Sequence, residues 1–190
     1  MNVPDCARKL KNLTTLNACK DMNSLDIDKI NLLSPYSVVC IADRLHFRTD
    51  YGIDYIVTFD LDANPYFTAY WFNLSNPNGT KSPSDNKIQE TVICIIEEFF
   101  RCNPEILLYM CSTSDGHQEQ RARLFLRWFN SSRQQQRYYI KSTDVKGEND
   151  ESEMNYKEYV ALIVQRTHPQ LDKIIQLFDE EIGMFNDVKP

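Results

Sequence analysis

The chain has 190 residues and a formal net charge of −6 at pH 7, with 42% hydrophobic and 25% charged residues. This composition predicts a folded chain with a substantial core, and counts of 5 Gly and 8 Pro exclude collagen-like and low-complexity classes. No apolar run approaches the roughly 18 residues that a membrane-spanning helix needs, so we predict no membrane segment. The negative charge makes nucleic acid an unfavoured partner, because phosphate contacts need a basic surface.

The amino-terminal residues and the cysteines predict a cytoplasmic location. Residues 1–20 lack the apolar core of a signal peptide. The 6 cysteines have no C-x-x-C spacing, and Cys40, Cys94 and Cys111 lie within apolar runs, where we expect reduced thiols packed as small hydrophobes. Because no H-x-x-x-H or H-E-x-x-H pattern occurs either, we predict no metal site.

The first part of the chain changes from helical to strand-like character near Tyr36. Residues 1–35 are polar with short stretches of helical spacing, which predict a helical amino-terminal extension of a domain at 36–190. Alternating and aromatic runs then predict three antiparallel strands. These strands are 37–42 continued past a bend by 45–48, then 54–61, and then 66–74.

The second part of the chain alternates helices with short apolar strands after a polar loop at 76–87. The helices are indicated by apolar residues spaced three and four apart, and the strands by short apolar runs. We predict, in order, a helix from Ile88 that ends before Asn103-Pro104, a buried strand at 105–111, a helix at 118–129, a strand at 136–143, an acidic loop at 144–158, a strand at 159–164 and a helix opened by His168-Pro169.

This order predicts an α+β fold: a single domain with a mixed, mostly antiparallel sheet and helices on both faces. The element order resembles that of the acetyltransferases that bind acetyl-coenzyme A: three antiparallel strands, a helix, a strand, a helix and two further strands. The resemblance implies a glycine-rich turn, Q/R-x-x-G-x-G/A, that holds the pyrophosphate, and a tyrosine acid near Phe125. The corresponding loop at 76–87 has only Gly79, so we predict no cofactor.

The segment 107–129 combines a buried strand, a polar turn and a helix, and it is the candidate site. A helix start after a strand collects backbone N–H groups that can bind phosphate or carboxylate. The alternative interpretation is that Ser114 and Asp115 only cap the helix. The residues that we assign to ligand binding are Thr113, Ser114, Asp115, Gly116, Gln118, Arg121, Arg123 and Arg127.

Basic residues are concentrated just after this turn, between His117 and Lys141, where Glu119 is the single acid. The basic set comprises Arg121, Arg123, Arg127, Arg133, Arg137 and Lys141. These side chains bind either an anionic ligand or an acidic partner segment, or they pair internally with Glu97, Glu98 or the acidic residues of 148–153. The favoured hypothesis is internal pairing, because charged runs are usually solvated and partly paired.

The same segment resembles an uncharacterised bacterial family of unknown function that is common in Bacteroidetes. The matching residues are Thr113, Ser114, Asp115, Gly116, Gln118, Arg121, Arg123, Leu124, Phe125, Arg127, Trp128 and Phe129. The likeness covers roughly residues 45 to 165. It implies a bacterial cytosolic protein and no particular activity.

The sequence contains no recognisable catalytic constellation, so we assign no catalytic residue. We expect a non-catalytic interaction or regulatory module with a protein partner. The alternative is a divergent acyltransferase-like enzyme that binds an anionic ligand at the helix start, 113–118. A third hypothesis is nucleic-acid binding through 121–141, where Trp128, Tyr138 and Tyr139 could stack on bases. The sequence does not specify an oligomeric state.

Overall fold

A computed structural model describes residues 24–63, 66–80, 83–110, 118–130, 132–146 and 157–187. The strands of this part of the chain are β1 (Val38–Ile41), β2 (Arg44–Arg48), β3 (Asp54–Asp62), β4 (Ala69–Ser75), β5 (Ile106–Met110), β6 (Tyr138–Lys146) and β7 (Lys157–Gln165). The helices are α1 (Ile27–Leu33), α2 (Asn86–Cys102), α3 (Gln118–Trp128), α4 (Ser132–Arg137) and α5 (Leu171–Asp187). The strands form one sheet in the order β1-β2-β3-β4-β5-β7-β6, which confirms the predicted α+β class with a mixed, mostly antiparallel sheet.

The described residues belong to two compact units. The first unit contains residues 24–60 and 72–104, and the second contains residues 61–71 and 105–187. The predicted amino-terminal extension at 1–35 stays a prediction, because residues 1–23 lie outside the described residues. No helix of the described residues is both long and apolar enough to span a bilayer.

A tight hairpin joins the first two strands of the first unit. The prediction that 45–48 continues the strand at 37–42 is wrong, because β1 and β2 are separate antiparallel strands with Ile41 opposite Arg44. The two loop residues, Ala42 and Asp43, have φ values of 48° and 59°. Positive φ at both central positions is the geometry of a type I′ turn, which matches the twist of the flanking strands. The sequence gives little signal for this turn, since type I′ turns favour Asn-Gly.

Because neither Ala42 nor Asp43 is a residue that prefers positive φ as glycine does, the turn can be improved. We expect the double variant Ala42→Asn/Asp43→Gly to raise the free energy of unfolding by about 1 kcal/mol, as measured by urea denaturation. Gly79→Ala is the comparison variant, for which we expect the opposite change in unfolding free energy. Gly79 has a φ of 62°, and no heavy atom lies within 4 Å of the added methyl group. This variant should lose about 1 kcal/mol from backbone strain alone. A double variant no more stable than wild type would contradict the prediction.

Aromatic stacking builds the core of the first unit. Phe47 stacks on Tyr55 with ring centroids 5.2 Å apart, and Phe59 stacks on Phe99 of α2 at 4.7 Å. Val57, between them on β3, is fully buried. The apolar face predicted for this strand is therefore the face that packs against α2.

The outer edge of β1 is partly closed by a side chain of α1. Asn31 Nδ2 donates to the carbonyl oxygen of Val38 at 2.9 Å, and Val38 N–H donates to Asn31 Oδ1 at 2.7 Å. Because the pair that flanks a two-residue hairpin loop is hydrogen-bonded, Val38 and Cys40 direct their backbone groups away from β2. Asn31 forms hydrogen bonds with both backbone groups of Val38. On this edge of β1, only the backbone N–H and C=O of Cys40 therefore remain open. Cys40 is exposed, which corrects the prediction that its thiol is in the core.

In the second unit, helices cover opposite faces of β5. β5 and β6 both pair with β7 in antiparallel register, with Leu108 opposite Leu162. Ile174 and Phe178 of α5 join the buried cluster on one face, whereas Tyr109 contacts α3 on the other. The remaining cluster members are Ala69, Trp71, Ile106, Leu108, Val145, Val160, Leu162 and Val164.

Two predicted boundaries around β6 are wrong. The strand predicted from 136 begins at Tyr138, because Ser132–Arg137 forms α4. The acidic loop predicted at 144–158 is shorter, since Asp144–Lys146 pairs with Lys157–Tyr159 and Val145 is buried. Burial of one apolar residue within a polar run holds the ladder together beyond the point at which composition suggests a loop. Residues 147–156 lie outside the described residues.

Candidate functional site

The polar turn of the predicted site lies outside the described residues. This applies to Thr113, Ser114, Asp115 and Gly116, so their role in anion binding stays a prediction. The flanking elements are as predicted: β5 ends at Met110 and α3 begins at Gln118. The side chains of α3 that are described, from Glu119 onward, show what the rest of the motif does.

The aromatic residues of the motif form a buried cluster. Phe125 is 2% exposed, and its ring stacks on that of Tyr109 with centroids 3.8 Å apart. Trp128 and Phe129 lie 5.8 and 5.2 Å from it. Phe125, at the position where the acetyltransferase resemblance expects a tyrosine acid, is therefore a hydrocarbon contact in the core. These rings fix α3 on the sheet.

The arginines of α3 occupy its more accessible side. Arg123 is exposed and forms an ion pair with Glu119, one turn earlier on the same helix. Arg127 is also exposed and forms no ion pair within the described part of the chain, whereas Arg121 is half-buried and makes contacts of its own. Glu98, a predicted partner of these arginines, is instead bound by Arg101. Glu97, also a predicted partner, makes contacts of its own, and the predicted acidic partners at 148–153 lie outside the described residues.

Two of the three aromatic side chains predicted to stack on nucleic-acid bases are buried. Trp128 is 8% exposed and Tyr138 is 3% exposed. Tyr139 lies beneath a guanidinium, with Arg166 Cζ 5.8 Å from its ring centroid. Lys141, at the end of the basic run, forms an ion pair with Asp179 of α5 at 2.6 Å. This part of the basic segment is thus engaged in contacts within the chain.

The amino end of α2 is capped by the chain itself. Asp85 Oδ1 accepts a hydrogen bond from Lys87 N–H at 2.9 Å, and Tyr36 Oη donates to Asp85 Oδ2 at 2.6 Å. Burial and this hydrogen bond raise the pKa of Tyr36, so its phenol remains a donor. The hydrogen bond from Lys87 to Asp50 raises the pKa of Lys87. The carboxylate of Asp85 therefore takes the position at which an external anion would meet this helix end.

Comparison with protein-family models places this arrangement in a family. Residues 84–180 match the model described as a family of unknown function, DUF6169. The chain belongs to DUF6169. Comparison with curated proteins and with solved structures finds no significant match.

The DUF6169 match runs from the capped start of α2 into α5. It includes the aromatic cluster of α3 and the basic residues of α4 and β6. The predicted membership of a family of unknown function, made on the residues of α3 and the turn before it, is confirmed. The predicted extent, roughly residues 45 to 165, is wrong, because the match begins at residue 84 and continues to 180. The family description carries no activity, so function must be argued from the side chains.

A groove that sequence reasoning missed lies within the DUF6169 match, where β7 ends and α5 begins. It is open to solvent and has a volume of about 500 Å³. Its lining combines three basic side chains with one acidic and three neutral ones: Arg166, His168, Lys173, Asp172, Pro169, Gln170 and Leu171. His168 Nδ1 accepts a hydrogen bond from Gln170 N–H at 3.1 Å. The residues that supply positive charge are distant in sequence from the predicted site, and no motif marks them.

The described residues offer no metal centre, and the thiol of Cys102 is not activated. Within them, no group of three or more His, Cys, Asp or Glu side chains is placed to hold a metal ion. Cys102 is half-buried, and burial together with Glu98 raises the pKa of its thiol. A raised pKa keeps the thiol protonated at neutral pH, which disfavours nucleophilic attack.

Proposed function

We propose that this DUF6169 protein is a non-catalytic interaction module of the bacterial cytoplasm, which binds a protein partner through the exposed face of α3. The observation that supports the proposal is the separation of side chains on this helix. Its aromatic residues are buried, whereas Gln120, Arg123, Leu124 and Arg127 are exposed. Positions spaced three and four apart lie on one helix face, so these four residues form a continuous surface, which we call the α3 surface.

The α3 surface has the chemistry of a protein interface. Leu124 is 46% exposed and shares this helix face with Arg123 and Arg127. Arginine and apolar side chains are enriched at interfaces, because a guanidinium combines hydrogen bonding with weak hydration. The ion pair between Arg123 and Glu119 is solvent-exposed, and exposed pairs contribute at most about 1 kcal/mol. A partner carboxylate can therefore replace Glu119 at little energetic cost.

Charge reversal on the α3 surface should abolish partner capture. We expect the tagged variant Arg123→Glu/Arg127→Glu, expressed in the native cell, to lose at least one protein that wild type enriches, by about tenfold or more. The matched control is Arg44→Glu/Arg48→Glu, which makes the same charge change on β2, where both residues are exposed. Quantitative mass spectrometry of the captured proteins makes the comparison. Capture that is equal in both variants, or no enrichment by wild type, would contradict the proposal.

The acyltransferase-like enzyme is the second candidate, and the element order favours it. Its site would be the helix start at 113–118. A thermal-shift screen with acetyl-coenzyme A, coenzyme A, nucleotides and simple anions separates the two candidates. Saturating ligand at about 100 times its Kd stabilises a protein by about 2.7 kcal/mol, which such a screen detects. We expect acetyl-coenzyme A to leave the unfolding temperature unchanged. A rise in the unfolding temperature would favour the enzyme over the interaction module.

A further inference from the structure

The groove between β7 and α5 presents one cationic side chain, Arg166, that contacts within the chain already hold in place. Arg166 Nε donates to the carbonyl oxygen of Gln135 at 2.6 Å, and its guanidinium lies over the ring of Tyr139. Within the described residues, neither Nη nitrogen of Arg166 makes a hydrogen bond. An arginine that is already held loses less side-chain entropy when it binds a ligand. The two Nη nitrogens of Arg166 can therefore donate hydrogen bonds to an anion.

Two further side chains add donors to the same groove. Lys173 is exposed and forms no ion pair within the part of the chain that the structure describes. His168 accepts at Nδ1, so its neutral imidazole carries the proton on Nε2 and can donate there. Asp172 also lines the groove and lowers its net positive charge.

The helix α4 adjoins the groove and carries further basic side chains. Arg166 N–H donates to the carbonyl oxygen of Arg137 at 2.9 Å, which joins the end of β7 to the end of α4. The guanidinium of Arg137 lies 5.7 Å from the ring centroid of Tyr138. Arg133 is one turn earlier on α4, and both arginines are exposed. Arg133 and Arg137 therefore place two more exposed cationic side chains on the helix that adjoins the groove.

We propose that this groove, lined by Arg166, His168 and Lys173, binds an acidic peptide segment of a partner protein. A guanidinium matches a carboxylate with two parallel hydrogen bonds, and the two arginines of α4 can meet further carboxylates along the peptide. A nucleic acid fits less well, since its phosphate on every nucleotide would bring denser negative charge against Asp172 than a peptide in which carboxylates alternate with neutral residues. The site uses a set of residues separate from the α3 surface.

The test uses the full chain and a fluorescein-labelled peptide of alternating Glu and Ser, with binding followed by fluorescence anisotropy at low salt. We expect wild type to bind the peptide and Lys173→Glu to weaken binding about tenfold. Arg166→Gln should weaken it as well, and thermal unfolding shows whether this variant still folds, because Arg166 also contacts Gln135. The control Arg44→Glu makes the same charge change as Lys173→Glu on an exposed position of the first unit and should leave binding within about twofold.

Three results would overturn the proposal. They are no peptide binding by wild type, equal weakening by Arg44→Glu, and tighter binding of a single-stranded oligonucleotide of the same net charge. The variant Arg123→Glu/Arg127→Glu separates this inference from the proposed function, since it should keep Lys173-dependent peptide binding. If the groove does not bind the peptide, the capture experiment on the α3 surface still tests the proposed function. If the capture experiment finds no partner, the peptide titration still tests the groove.

Discussion

Phe125→Ala is expected to lower the free energy of unfolding by about 4 kcal/mol, because a fully packed ring is removed and a cavity remains. Phe125 is 2% exposed and contacts the rings of Tyr109, Trp128 and Phe129. Each aromatic pair adds about 0.5–1.5 kcal/mol beyond the buried area. The total native stability of most domains is only about 5–15 kcal/mol, so the variant should be close to the limit of folding.

Urea denaturation of wild type, Phe125→Ala and Leu124→Ala measures this effect. Leu124 is the neighbouring residue, at 46% exposure, and its truncation should cost about 0.5 kcal/mol. Phe125→Leu, which keeps most of the apolar volume, should have an intermediate effect. If Phe125→Ala changed stability no more than Leu124→Ala, the aromatic residues of the family motif would not pack in the core. The division of α3 into a buried aromatic side and an exposed side would then be wrong.

This separation of α3 was visible in the sequence because a helix repeats every 3.6 residues. The apolar stripe Ala122, Phe125, Leu126 and Phe129, widened by Leu124 and Trp128, predicts a largely buried helix. The structure buries Ala122, Phe125, Trp128 and Phe129, but Leu124 is 46% exposed, so the predicted buried face is too wide. The charged side was harder to interpret, since side-chain pairing depends on which elements meet. Arg123 pairs with Glu119 on its own helix, a contact that the four-residue spacing permits but does not require.

The hairpin between β1 and β2 shows a limit of sequence reasoning in the first unit. Composition located both strands, but the change of direction depends on two positive φ values at Ala42 and Asp43. Residues of these types adopt the left-handed region only when the flanking strands hold them there. A turn that tertiary pairing imposes leaves little local signal, so the two strands were predicted as one.

The basic groove shows the same limit for function. Arg166 and Arg137 are brought together because Tyr138 pairs with Gln165 at the open end of the β6–β7 ladder, opposite the Lys146–Lys157 end. The sequence suggested a cationic segment that ends at Lys141, without Arg166, His168 or Lys173. No spacing rule connects positions that long-range strand pairing makes neighbours. The helix α4, which supplies Arg133 and Arg137, has no apolar stripe and was missed for a related reason.

Glu98→Ala is expected to lower the free energy of unfolding by about 2–3 kcal/mol, because it leaves the partners of a buried carboxylate unpaired. Glu98 is 5% exposed and accepts two hydrogen bonds of 2.6 Å from Arg101. It also accepts the backbone N–H of Asp26, at 2.9 Å, just before α1. The carboxylate thus links the start of α1 to α2, and we call this set of hydrogen bonds to Glu98 the clasp. Loss of the clasp should increase amide hydrogen exchange in α1 more than in β5 of the second unit.

The clasp also predicts a dependence of stability on pH. The hydrogen bonds from Arg101, with that from Asp26, hold the pKa of Glu98 below its usual range, although burial opposes them. Because the unfolded chain then binds the proton more readily, the clasp stabilises fully above the unfolded pKa of about 4.3. Its contribution is lost as the pH falls through the lower, folded pKa. The difference in unfolding free energy between wild type and Glu98→Gln should therefore narrow steadily below about pH 4.

Denaturation at neutral pH and at several acidic values tests this prediction, with Glu90→Gln as the control. Glu90 is exposed on the same helix, so its variant should remain close to wild type at every pH. A difference for Glu98→Gln that stays constant with pH would mean that packing of the side chain, and not its charge, supports α1. A difference that grows on acidification would contradict the direction of the pKa change. The expected narrowing would identify the Glu98 carboxylate, rather than the apolar contacts of α1, as the element that holds this helix.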